Sequence, residues 1–132
     1  MSCESNERNN GLKLPPEIDV KWIDGIANSL DETAIWNTDS YDQCFQFSLE
    51  IIRCRDLDSY TKVHVFLFLL LNRLKIGMGF DGKLFEECIE LTKTIDNFDQ
   101  KHILIGQLVR IANRANRFDL REKVYHMFRQ KW

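Results

Sequence analysis

The nine residues VHVFLFLLL at positions 63 to 71 constrain this chain more than any other stretch. A helix built on so dense an apolar run has no polar face to give to water, so neighbours must cover it on every side. Crossing a bilayer takes about 20 consecutive apolar residues, whereas this run is short and carries His64. Asp58 upstream is a natural N-cap, and Gly77 and Gly79 downstream stop the helix. The pattern therefore predicts a central buried helix over residues 59 to 76.

The flanking segments supply the cover. Trp22, Ile23, Ile26 and Leu30 form the apolar stripe of a helix over 17 to 30. Pro15 and Pro16 lead into it, and Glu17 and Asp19 sit near the positive end of its dipole. The polar stretch DETAIWNTDS reads as a connection holding one helical turn. Ser40 and Gln43 make a capping box that starts a helix running to residue 54, with Tyr41, Cys44, Phe45, Ser48, Leu49 and Ile52 inward. Over 81 to 95, Leu84, Phe85, Cys88, Leu91, Thr92 and Ile95 face in, while Lys83, Glu86, Glu87, Glu90 and Lys93 face out. Leu104, Ile105, Leu108, Ile111, Ala112 and Ala115 mark a helix over 99 to 115, and Leu120, Val124, Tyr125 and Phe128 a last one from 119.

No segment alternates at period two, so the expected fold class is all-α: five to six helices as stacked antiparallel hairpins, in the manner of a short tetratricopeptide- or HEAT-like solenoid. Tyr41-Asp42, Phe80-Asp81 and Phe118-Asp119 recur at spacings of 39 and 38 residues. As repeats, each aromatic packs at a corner between helices and each Asp caps the helix that follows; unrelated hairpins with aromatic and Asp residues at their corners give the same pattern. A length of 132 residues fits one domain. Residues 1 to 14, polar and rich in Asn, Ser and Glu, are expected to form a disordered tail ahead of a single helical domain over 15 to 132.

The first residues lack the apolar core of a secretory signal and are too acidic for a transit peptide. An intracellular, reducing location is expected, in nucleus or cytoplasm, with no membrane attachment. Cys3, Cys44, Cys54 and Cys88 form no CxxC pair or Cys/His cluster, so neither zinc nor a disulfide framework is indicated. His64 reads as a hydrogen-bonded core or edge residue, and His102 and His126 have no acid or thiol beside them in sequence. Glu86, Glu87 and Glu90 lack the Glu-x-x-His element of a bundle metal site. IGMGFDG at 76 to 82 follows no strand that would let its glycines cradle a phosphate. The chain is read as non-enzymatic, with no cofactor and no metal.

Charge is uneven along the chain. Residues 1 to 96 hold 10 basic and 17 acidic groups, and residues 97 to 132 hold 8 and 3, a balance of −7 against +5. Such asymmetry suits head-to-tail contacts or an acidic partner, although solvated faces also carry charge of one sign. Arg110, Arg114 and Arg117 follow i, i+4, i+7 spacing, with Arg121 and Lys123 beyond, as if to form one cationic ridge. A nucleic-acid binder of this kind would have a pI above about 9, and the chain's is near 5.9. Acidic peptide segments or other protein subunits are the better-matched partners, with nucleic acid as the alternative. Trp22, Trp36 and Trp132 are candidate anchors for such a partner, or else core residues.

Residues 84 to 132, through IGQLV at 105 to 109 and the terminal REKVYHMFRQKW, resemble the N-terminal helical domain of transcription elongation factor S-II and its relatives. The matching positions are Ile105, Gly106, Val109, Val124, Tyr125, Phe128 and Trp132. The resemblance implies a small helical bundle that docks disordered peptide motifs in nuclear complexes. The functional expectation is an adaptor or structural subunit of a larger complex, binding through exposed aromatics and a basic C-terminal hairpin.

Overall fold

In the computed structural model, which describes residues 20–129, six α-helices follow one another without a strand among the described residues. They are α1 (Val20–Trp36), α2 (Tyr41–Cys54), α3 (Ser59–Lys75), α4 (Gly82–Lys93), α5 (Phe98–Arg114) and α6 (Phe118–Arg129). The expected tail over 1 to 14, the Pro15-Pro16 entry and Trp132 lie outside the described residues.

Consecutive helices pair as α1 with α2, α3 with α4 and α5 with α6. The pairs stack because α3 also packs on α1, α2 and α5, while α4 packs on α5. One row of the stack is thus α1, α3, α5. The other row is α2, α4, α6, whose members are tied by polar side chains: Gln46 Nε2 donates to Asp81 Oδ2 (3.1 Å), Arg53 grips Glu87, and Lys123 pairs with Glu86. With a hairpin on each side, α3 buries Val63, His64, Val65, Phe66, Leu67, Leu69, Leu70 and Leu71. The apolar run is covered except at Phe68, which is half-buried.

Local chemistry sets the helix ends. Asp58 accepts from the Thr61 amide at 2.8 Å, Asp81 from Leu84 at 3.1 Å and Asn97 from Gln100 at 2.9 Å, each side chain satisfying an amide the helix itself leaves unpaired. α3 closes with the Met78 amide on the Arg73 carbonyl and the Gly77 amide on that of Leu74, with Gly77 at φ +79°. α5 closes the same way, Arg117 bonding back to Ala112 and Asn116 to Asn113, with Asn116 at φ +58°. Both are left-handed caps of the kind that favour Gly, then Asn.

Three local expectations are corrected. First, α1 does not stop at residue 30 but runs to Trp36. Ile23, Ala27 and Leu30 are buried and Ala34 half-buried, which continues the inward line, while the Thr33 hydroxyl bonds the Ser29 carbonyl and leaves the helix intact. Second, Ser40 makes no capping bond, because the short 3₁₀ turn Thr38–Ser40 leads into α2 and holds Ser40 at φ −93°, ψ −4°, helical dihedrals rather than the extended ones a cap uses. Third, of the three recurring aspartates Asp81 caps a helix, whereas Asp42 and Asp119 lie inside first turns, ion-paired to Arg73 and Arg117. The aromatics differ too: Tyr41 is buried, Phe80 half-buried and Phe118 exposed.

Candidate functional site

The stack ends expose what its middle hides. On α1, Trp22, Gly25, Ile26, Ser29 and Thr33 share one face, and on α2, Gln43, Cys44, Phe47, Ser48 and Ile51 share another. Together with Leu30 they line a groove of about 860 Å³. Inward positions such as Ile23, Leu30, Phe45 and Ile52 point to the core, and Gln46 and Arg53 point to α4. The groove therefore opens on the side of the first hairpin away from the rest of the stack. Trp36, three residues past Thr33 on the same helical face, is 83% exposed; Phe47 is 68% exposed and Ile35 72%. Trp22 is half-buried, with the Arg55 guanidinium 4.1 Å from its ring centre. So Trp22 and Trp36 both belong to this end of the molecule, one as groove wall and one as a projecting ring.

At the opposite end, His102, Ile103, Ile105, Gly106, Gln107, Val109 and Arg110 of α5 join Tyr125 of α6 around a shallower recess of about 500 Å³. Ile103 and Tyr125 are exposed there. His102 stacks on Phe98 with ring centres 5.8 Å apart.

The basic set is spread over two helices and the turn between them. Arg110 and Arg114 are exposed on α5, but the helix ends at Arg114, and the left-handed Asn116 turns the chain before Arg117. Helical spacing therefore does not carry through to Arg117. Its guanidinium forks onto Asp119 with two bonds of 3.0 Å and lies 5.6 Å from the Phe80 ring centre. The fork with Asp119 raises the Arg117 pKa and lowers that of Asp119. Arg121 donates to Asn113 Oδ1 at 3.1 Å and pairs with Glu122, while Lys123 turns to Glu86 on α4. Arg117, Arg121 and Lys123 are thus committed to nearby carboxylates.

Two arginines that sequence reasoning passed over bridge neighbouring helices of the stack. Arg73 is 8% exposed and meets Asp42 at 2.7 Å and the Gly79 carbonyl at 3.1 Å, with the ring centres of Phe45 and Tyr41 at 4.7 and 5.3 Å. Burial pushes the Tyr41 phenol up to about 12. Arg53 grips Glu87 with bonds of 3.0 and 2.6 Å and reaches Glu50 at 2.7 Å; these bonds, that to Glu87 foremost, raise its pKa. Their partners on other helices, Asp42 and Glu87, are distant in sequence, and no local pattern reveals them.

The polar cleft between α2 and α4, about 420 Å³ and lined by Gln46, Leu49, Arg53, Asp81, Lys83, Leu84 and Glu87, has its acids already engaged. Glu87 serves Arg53, and Asp81 serves both the Leu84 amide and Gln46. Glu86 and Glu90 pair with Lys123 and Lys93. Cys88 is fully buried, and burial drives its thiol well above the usual range, away from the thiolate a nucleophile needs. His64 is buried, but the expected hydrogen bond is absent: among the described residues neither ring nitrogen has a partner. Its ring lies edge-on to Tyr60 at 4.6 Å, and burial lowers its pKa to about 4.

Among the described residues no group of three or more His, Cys, Asp or Glu is placed to hold a metal ion, and no helix is long and apolar enough to cross a membrane. No protein-family model matches the chain, and neither a curated protein nor a solved structure matches it.

Proposed function

We propose that this chain is a non-enzymatic helical module, an adaptor or structural subunit that binds other proteins through the open face of its first hairpin. The observation that carries this reading is the α1/α2 groove, whose apolar walls stand beside a tryptophan, a phenylalanine and an isoleucine each more than two-thirds exposed. Large exposed aromatics beside an apolar groove are what protein interfaces use as anchors. The pairing of Arg117, Arg121 and Lys123 with carboxylates moves the centre of the site away from the C-terminal cations, with the exposed Arg114 as its secondary, acid-seeking part. The resemblance of residues 84 to 132 to the S-II N-terminal domain points the same way, toward peptide docking in nuclear complexes.

The test is affinity purification of the intact protein from its native cell, beside Phe47→Asp and Trp36→Ala variants, washed at low and high salt with nuclease-treated controls. A stoichiometric protein that survives high salt on the wild type and is lost from the variants is the expected result. Nucleic acid released by salt, with no protein companion, overturns the proposal, because phosphate binding decays steeply with ionic strength and apolar anchoring does not.

A further inference from the structure

Charge is graded along the stack. The first hairpin and its exit, residues 20 to 58, hold three cations and eight acids; the middle one, 59 to 97, holds five of each; the last, 98 to 129, holds seven cations and three acids. The formal charges are −5, 0 and +4. The acidic end bears the α1/α2 groove with Trp22, Ile26 and Phe47, and the basic end bears the recess with Ile103, Val109 and Tyr125. These two surfaces lie at opposite ends of the row of hairpins, where the middle hairpin instead finds a neighbour on each side.

We propose that the occupant of the α1/α2 groove is the α5/α6 end of a second copy of this chain, so that the stack of hairpins continues from one molecule into the next. This rests on the reading of the groove as a protein-docking surface and names its partner. Charge complementarity selects the orientation. Two groove ends facing each other would bring −5 against −5, and two basic ends +4 against +4, whereas groove to recess sets −5 against +4. The contact is heterologous: each copy contributes a different face and keeps its other face free, so association runs past the dimer unless rotation closes a ring. The apolar parts of both faces supply the burial, and the charge gradient sets the approach.

The experiment is sedimentation velocity on the intact protein over about 1 to 100 µM, where interfaces of ordinary strength populate both free and bound states. It includes Phe47→Asp, Tyr125→Asp and their equimolar mixture. Both positions are exposed, so the fold is spared; unchanged helical circular dichroism verifies this, and Arg114→Glu provides a second, milder lesion of the basic end. The wild type is expected to form species larger than dimers as concentration rises, less so at high salt, and each variant alone is expected to stay monomeric. The mixture is expected to stop at a heterodimer, since the Phe47→Asp copy still has a sound recess and the Tyr125→Asp copy a sound groove. A wild type that stays monomeric throughout, a variant that assembles like the wild type, or a mixture that remains monomeric would each overturn the proposal. A monomeric wild type that still loses a salt-resistant partner through Phe47→Asp overturns self-stacking alone, while loss of both results overturns the docking reading as well.

Discussion

Lowering the pH should destabilise this protein through one residue, His64. The ring is 2% exposed, neither nitrogen is hydrogen-bonded among the described residues, and burial lowers its pKa from 6.5 to about 4. Between those values the unfolded chain binds a proton that the folded one refuses, so stability rises with pH across the window and is level above it. Each tenfold difference in proton affinity between the two states is worth about 1.4 kcal/mol, so the wild type should lose about 2 kcal/mol between pH 7.5 and 5 and about 3 kcal/mol by pH 4. Against a domain total of about 5 to 15 kcal/mol, that loss is large. The control is His64→Leu, which keeps the volume roughly and removes both nitrogens. It should abolish this part of the pH dependence and raise stability at pH 7.5 by about 1 kcal/mol, as two unpaired polar atoms leave the core. Urea unfolding followed by circular dichroism at a series of pH values measures both chains, and carboxylate titrations common to the two cancel in the difference. Parallel wild-type and His64→Leu curves between pH 7 and 4 would refute the reasoning.

Arg73 and Asp42 should prove unequal partners despite sharing one ion pair. Arg73→Ala removes two charge-assisted bonds and the packing on Tyr41 and Phe45, and is expected to cost about 3 kcal/mol, whereas Asp42→Ala removes an acid whose side chain is 75% exposed and should cost under about 1 kcal/mol. Equal losses in urea unfolding would show that the pair, and not the cage around the guanidinium, carries the energy. At the left-handed caps, Asn116→Gly should gain a few tenths of a kcal/mol and Gly77→Ala should lose about 1 kcal/mol, because a side chain is strained at positive φ. Thermal melts of the two variants moving in the same direction would contradict that account.

Most of the architecture is legible in the sequence because it rests on period and on small polar punctuation. VHVFLFLLL announces a helix with neighbours all round, and Asp58 and the Gly77 stop set its ends within a residue. What escapes is whatever depends on a second element. The tail of α1 reads as linker because Asp31, Glu32 and Thr33 are polar, yet Asp31 accepts from Asn72 on α3 at 2.9 Å and Thr33 lines the groove. The i, i+4, i+7 spacing of Arg110, Arg114 and Arg117 is a helical argument, and the helix stops at Arg114, with Asn116 turning the chain before Arg117. Arg73 and Arg53 look like solvated cations from their own helices; their partners stand 31 and 34 positions away, at Asp42 and Glu87. Of the three tryptophans proposed as anchors, Trp22 and Trp36 fall at one end of the stack, a grouping set by the full length of α1.

Buried apolar contacts and directional polar pairs divide the work of specifying this stack. Burial runs through both rows: Ile23, Leu30, Val63, Phe66, Leu104 and Leu108 in the row of α1, α3 and α5, and Phe45, Ile52, Phe85, Ile89, Val124 and Phe128 in the other, are all 2% exposed or less. Apolar contact is strong but tolerant of sliding, since Leu on Leu is nearly as good one turn along. In the row of α2, α4 and α6, the Arg53 fork on Glu87 and the pairing of Lys123 with Glu86 add little net stability, because such half-exposed pairs are weak. They are directional, however, and a one-turn slip would break them while leaving the apolar core filled. These pairs, with the Asn72 bond to Asp31 between α3 and α1, therefore fix the register that the apolar contacts only stabilise. By the same division, the charge gradient between the ends would orient an arriving partner, while Trp22, Phe47 and Tyr125 would supply the affinity.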